Sequence, residues 1–151
     1  MHFEITRQSL GRRAIIAGMI VLCSMGCHVR PEQQAKLEEL RQMAADTPRF
    51  PDFEQIDYSD ITKPETTVVA YFYRSSASYE EVRIFYLQTL TSRGWQLIQE
   101  EPLLNWLQGA GQRVSFQKGD YIIDLEHDTT RESGWDFALD YAWRSNGVKV
   151  N

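Results

Sequence analysis

Only one histidine lies beyond the first 30 residues: His127, in the stretch LEHDTT, with Asp124, Glu126 and Asp128 around it. A metal centre is the first chemistry such a cluster invites. Read as a strand, however, the segment puts Asp124, Glu126 and Asp128 on one face and His127 on the other, because side chains alternate with a period of two. Zinc wants several nitrogen or sulfur donors converging, and this region offers a single imidazole and no thiol. A solvated acidic edge running into a turn is the better reading, so no metal is expected. Hydrolysis by a serine, histidine and aspartate has no Gly-x-Ser-x-Gly elbow to stand on, and a lone histidine beside a turn makes a poor general base. The glycines of LQGAGQR, Gly109 and Gly111, precede a strand pattern and open no helix, which makes the stretch a flexible hairpin rather than a phosphate-binding loop. No catalytic residue and no cofactor site emerge, and a nonenzyme is expected.

Cysteine chemistry is confined to the N-terminal region, where GRRAIIAGMIVLCSMGCHVR holds both cysteines of the chain, Cys23 and Cys27. A membrane-spanning helix needs about 20 mostly apolar residues, against about 10 to 14 for the core of a signal peptide. Ala14 to Gly26 fits the shorter class and includes Gly18, Ser24 and Gly26. Arg7, Arg12 and Arg13 supply the basic flank, and small residues mark the exit. The ending, SMGC, resembles the bacterial lipoprotein signal, usually Leu-Ala-Gly-Cys, in which the cysteine is acylated and becomes the first mature residue. Gly26 before Cys27 matches that pattern, and Ser24 departs from it where Leu is usual. Cys23 follows the bulky Leu22 and fits less well. The resemblance implies a signal peptide over residues 1–26, a lipid such as palmitate on Cys27, and attachment to a membrane with the rest of the chain facing the periplasm. His28 is not the Asp that follows the cysteine in some lipoproteins kept at the inner membrane, which leans towards the outer membrane.

Removing residues 1–26 takes away Arg7, Arg12, Arg13 and Glu4, leaving 13 basic against 20 acidic residues. A surface with that balance repels nucleic-acid phosphates, so no nucleic-acid partner is expected. With Cys27 acylated no disulfide is possible, and the fold must rest on its hydrophobic core alone. A composition of 42% hydrophobic and 12% aromatic residues is enough for one domain of this length.

The elements follow from periodicity. RPEQQAKLEELRQMAADTPRF has Pro31 at a first helical turn, Leu37, Leu40, Met43 and Ala44 at helical spacing, and Pro48 as a stop. So thin an apolar stripe buries little, and residues 27–49 are expected to space the anchor from a single domain over residues 50–151. FEQIDYSDI carries a faint strand pattern, and TTVVAYFYRS a dense one in β-branched and aromatic residues. SASYEEVRIFYLQTLTSRGW is the best-marked helix: Ser78 and Glu81 form a capping box, and Glu80 and Glu81 suit the positive end of the dipole. Val82, Phe85, Tyr86, Thr89 and Leu90 share a face, and Gly94 supplies a left-handed residue at the C-terminal end. WQLIQEE then reads as a strand ended by Pro102, and QRVSFQKGDYIIDLEHD as two strands joined near Lys118 to Asp120. In WDFALDYAW, Trp135, Phe137, Leu139, Tyr141 and Trp143 alternate with smaller or acidic residues. The expected class is α+β: an antiparallel sheet of four to five strands, one long helix packed on one face, and a signal peptide and short N-terminal helix ahead of it.

The aromatic strand, SYEEVRIFYLQTLTSRGW, SFQKGDYIIDL and the final aromatic strand together resemble small uncharacterised bacterial lipoprotein domains, which carry a Ser-x-x-Glu-Val-x-x-Phe-Tyr…Gly-Trp helix followed by a Lys-Gly-Asp hairpin. The resemblance runs from about Thr66 to Trp143 and implies an envelope-located α+β module with no catalytic residues to carry over. Two expectations about function remain. In the first, the domain is a binding module for another envelope protein, and Tyr71 and Tyr73, opposite in direction to Phe72, form the docking surface. Packing of both tyrosines beneath Phe50, Phe53 and Ile56 is the competing outcome. In the second, a pocket between helix and sheet, lined by Trp95, Trp106 and Tyr86, serves a small-ligand receptor or enzyme. Oligomeric state is not legible in the sequence.

Overall fold

The computed structural model describes residues 31–104, 110–130 and 133–145. Residues 1–30, with the expected signal peptide and Cys27, lie outside the described residues. Helix α1 spans Pro31–Asp46, followed by strands β1, Glu54–Lys63, and β2, Thr66–Arg74. Helix α2, Tyr79–Thr91, leads into β3, Gln96–Leu104, β4, Ala110–Lys118, β5, Tyr121–Asp128, and β6, Phe137–Arg144. The strands form one six-stranded sheet in the order β1-β2-β6-β5-β4-β3, every adjacent pair antiparallel. The last strand therefore closes the sheet at its middle, between a hairpin on one side and a three-stranded meander on the other.

This is the expected α+β class with an antiparallel sheet, but the sheet has six strands rather than four to five, and two helices rather than one contribute to its core. The difference at β1 has a simple cause. As an edge strand it is exposed along nearly its whole length, so it lacks the apolar alternation that marks a half-buried strand. Pro102 also does not end β3. It sits within the strand opposite Gln112, and because β3 is the other edge, a position whose N–H would face solvent loses nothing to proline.

Register sorts the side chains into two faces. Val69, Tyr71 and Tyr73 of β2 align with Tyr141, Leu139 and Phe137 of β6, then with Ile123, Leu125 and His127 of β5. Phe116 and Val114 of β4 continue the same rows. These residues and the buried sides of both helices make one core: Val82, Tyr86 and Leu90 from α2, Leu37 and Leu40 from α1. Fully burying a leucine is worth about 1.5–3 kcal/mol, so α1 has reason to dock rather than act only as a spacer. Thus the expectation of a spacer is corrected, and residues ahead of Phe50 belong to the packed core. Polar clips hold the helix on both flanks. Arg41 reaches Asp60 of β1 at 2.9 Å, and Lys36 donates to the Tyr121 hydroxyl of β5 at 2.8 Å.

The start of α2 forms as its sequence predicts. The Ser78 side chain accepts from the Glu81 N–H, and the Glu81 carboxylate accepts from the Ser78 N–H at 2.9 Å. Its C-terminal turn closes through Gly94, whose φ of +82° is open to glycine at no steric cost. Gly119, φ +60°, turns β4 into β5 where the Lys118 to Asp120 hairpin was expected. One aromatic moves: β6 begins at Phe137, and Trp135 lies against Phe72 on the opposite face, ring centroids 5.7 Å apart, instead of joining the aromatic face.

Candidate functional site

The connector after α1, TPRFPDF, shapes an aromatic groove. Two prolines keep it extended, and Phe50 and Phe53 fold back onto the core: Phe53 stacks on Tyr73 at 4.6 Å, and Phe50 meets Phe85 edge-on at 5.3 Å. The Phe50 N–H donates to the Tyr86 hydroxyl at 3.2 Å. Thr47, Pro48 and Arg49 are thereby suspended above β2 and β6. Beneath them lies a groove of about 400 Å³ whose floor is Tyr71, Tyr73, Leu139 and Tyr141, with Ala44, Ala45 and Gln55 at its sides.

Both tyrosines singled out from the sequence line this groove, in unequal ways. Tyr73 is 5% exposed and held by Phe53, so it belongs to the packed interior and the docking role expected of it is corrected. Tyr71 is half-buried, with the ring of Tyr58 at 5.3 Å and that of Tyr141 at 6.2 Å. The competing expectation, packing beneath the Phe50 segment, holds for Tyr73 through Phe53, while Ile56 is exposed on β1.

The phenols stay protonated. Burial pushes Tyr73 up to about 12. Burial raises Tyr71, against the pull of Arg41, and raises Tyr141 far above its ordinary value despite a hydrogen bond with Thr47. No histidine, cysteine or carboxylate lines the described groove, so it holds neither a nucleophile with a base nor a set of metal donors. It can offer aromatic faces, neutral hydroxyls and one cation. Arg49 is exposed at the rim, and it forms no ion pair with any described carboxylate. Sequence reasoning passed over Arg49, although a cation set between Pro48 and Phe50, the one basic residue of the connector, was a usable signal.

Of the residues expected to line a second cleft, Tyr86 on α2 is fully buried, Trp95 lines a separate groove with Met43, Arg93 and Tyr121, and Trp106 lies outside the described residues, as does Gly109.

Around His127 the alternation holds. The imidazole is on the helix-bearing face between Tyr79, at 5.4 Å, and Phe137, at 4.7 Å. Asp124, Glu126 and Asp128 point to the other face, and each has a different environment. Burial pushes Asp128 upward, but hydrogen bonds from Ser133 and Thr130 more than reverse this and hold it at about 2. Glu126 takes a double hydrogen bond from Arg113, at 2.6 and 2.8 Å. Asp124 stands across from Asp140, whose place in β6 no motif had marked. Among the described residues, no three histidine, cysteine or acidic side chains converge on a metal position. Likewise, no described helix is long and apolar enough to cross a membrane. Comparison of the chain with protein-family models, curated proteins and solved structures finds no match.

Proposed function

We propose that this chain is an exported envelope protein, anchored by a lipid on Cys27, whose α+β domain is a non-catalytic binding module facing the periplasm, with the outer membrane the favoured site. The signal-like segment and the SMGC ending support the anchor, and the likeness to small bacterial lipoprotein domains supports the module. The observation that carries the binding role is the groove under Thr47 to Arg49: a half-exposed Tyr71 beside an arginine that no described acid neutralises. Guanidinium groups and aromatic rings are the side chains that most often anchor an interface. A partner protein presenting an acidic side chain next to an apolar one suits this lining. The groove's size of about 400 Å³ also falls in the range of small-molecule sites, which keeps a small carboxylate ligand as the second reading.

The test uses the full chain in its own envelope. A photo-crosslinker at position 71 should yield one discrete adduct, lost in Arg49→Glu, while Cys27→Ser should remove acyl labelling and release the protein from the membrane fraction. An adduct unaffected by Arg49→Glu would sink the groove as the binding site. An unchanged mass and unchanged membrane partitioning of Cys27→Ser would sink the anchor.

A further inference from the structure

The face of the sheet opposite the helices carries a row of side chains set by register alone. Across it run Ser59, Ala70, Asp140, Asp124, Ser115 and Gln99, each directly opposite its neighbour on the adjoining strand. At its centre two carboxyl groups face each other across β5 and β6. Directly opposed residues of an antiparallel pair have their Cβ atoms about 4.5–5.5 Å apart, so two ionised carboxylates here repel at short range.

Each of these aspartates has its Oδ1 buried and without a hydrogen-bond donor among its described neighbours. Two carboxylates are both acceptors and cannot satisfy one another. One added proton changes that, since a carboxylic acid donates to the carboxylate beside it. The groups facing the pair leave this the natural solution. From β4, Ser115 hydrogen-bonds Asp124, and Arg113 is committed to Glu126 at 2.6 Å and reaches Glu101 at 3.5 Å. From β5, Glu126 adds negative charge in the next row, and from β2 only the methyl group of Ala70 stands opposite Asp140. Arg144, on β6 itself, acts on Asp124 at longer range. Among the described residues, no cation forms an ion pair with either acid.

We infer that Asp124 and Asp140 form a carboxylic acid–carboxylate pair that holds one proton between them at neutral pH, making the centre of the sheet a proton-sensitive joint. Burial and then the charges of Glu126 and Asp124 push Asp140 up to about 7, with Arg113 opposing, and burial raises Asp124 as well. The proton belongs to the pair rather than to one residue. The sign follows from these raised values. Below the ordinary aspartate value the folded and unfolded chains are equally protonated, and the contribution is complete. As pH rises from there to about 7, the unfolded chain has already released the proton that the folded chain retains, so stability declines. Above that point both have lost it and the decline stops. An exported domain meets the acidity of its surroundings directly, so β5 and β6 would be held most firmly in acid.

The test is the melting temperature of the full chain between pH 5 and 9, beside Asp140→Asn, which keeps the shape and cannot ionise. The unaltered chain should lose melting temperature between pH 5 and about 7.5 and then level off, while Asp140→Asn should be flat across that window and melt higher than the unaltered chain at pH 8. The acids with depressed values do not change charge in this window, and His127 is common to both chains. Parallel profiles would overturn the inference. Side-chain carboxyl NMR of the unaltered protein decides independently of whether the variant folds: a midpoint near neutrality at Asp140 or Asp124 is expected, and titration of both below pH 5 would overturn it.

Discussion

The two faces of this sheet are built from the same strands, one residue out of step, and they solve the problem of burial differently. On one face Phe137, Leu139, Tyr141 and Trp143 of β6 meet two helices, and polar groups that come with them are drawn into the packing: the Tyr86 hydroxyl accepts from Phe50, and Lys36 sits over the rings of Tyr121 and Trp143 at 5.3 and 5.5 Å. On the other face the alternate residues of β6 are Ala138, Asp140 and Ala142, and no described helix crosses them. Small side chains there let neighbouring strands shield one another, at the cost of placing carboxyl groups where water reaches them poorly. The first face is held mainly by shape. The second is held by hydrogen bonds to charge and varies with it.

The contrast predicts its largest effect at Tyr86. Truncating this fully buried ring to alanine should cost about 3–5 kcal/mol, enough to unfold much of a marginal domain. Tyr86→Phe removes only the bond from Phe50 and should cost about 1 kcal/mol. Urea midpoints of the two variants separate packing from hydrogen bonding. Equal losses would mean that the aromatic face depends on its polar contacts as much as the acidic face does.

A smaller effect is expected where the helix-bearing layer turns into the sheet. At Gly94 an added Cβ would meet nothing closer than the Lys118 side-chain end at 3.9 Å, so space is not the obstacle and the left-handed backbone is. Gly94→Val should cost about 1–2 kcal/mol through that conformation alone. An unchanged urea midpoint would show that the helix can end without it.

What was legible in the sequence was what local chemistry decides. Ser78 with Glu81, Gly94 after the helix, and the glycine turn at Gly119 each settle their own backbone within a few residues, and each is where the pattern put it. The split of His127 from its acidic neighbours followed from the strand period in the same way. Illegible were the features that depend on which surface comes to meet another. Leu37 and Leu40 look like a thin stripe until a sheet with a matching hollow receives them. Tyr71 and Tyr73 share a face, and only the return of Phe53 decides that one is interior and the other lines a groove. Asp124 and Asp140 are neighbours because the register pairs β5 with β6, a fact carried by no motif in either strand. Edge strands lose their signal for a related reason: β1, wet on most of its length, is under little pressure to alternate.

The smallest effect concerns β1, where the two faces can be compared with the least disturbance. Ile61 is 52% exposed and shares the acidic face with Val68 opposite it. Substitution at such a site, away from caps, turns and buried polar groups, generally changes stability by less than about 0.5 kcal/mol. Ile61→Ser should therefore leave the urea midpoint within that margin, and an edge strand with less apolar surface should also be less prone to pair with another chain. Circular dichroism through a urea titration of the full chain measures the first, and light scattering during the same experiment the second. A loss as large as that of a core residue would mean that the helix-free face is covered in solution, and the division of the sheet into a shape-held and a charge-held side would then stop short of β1.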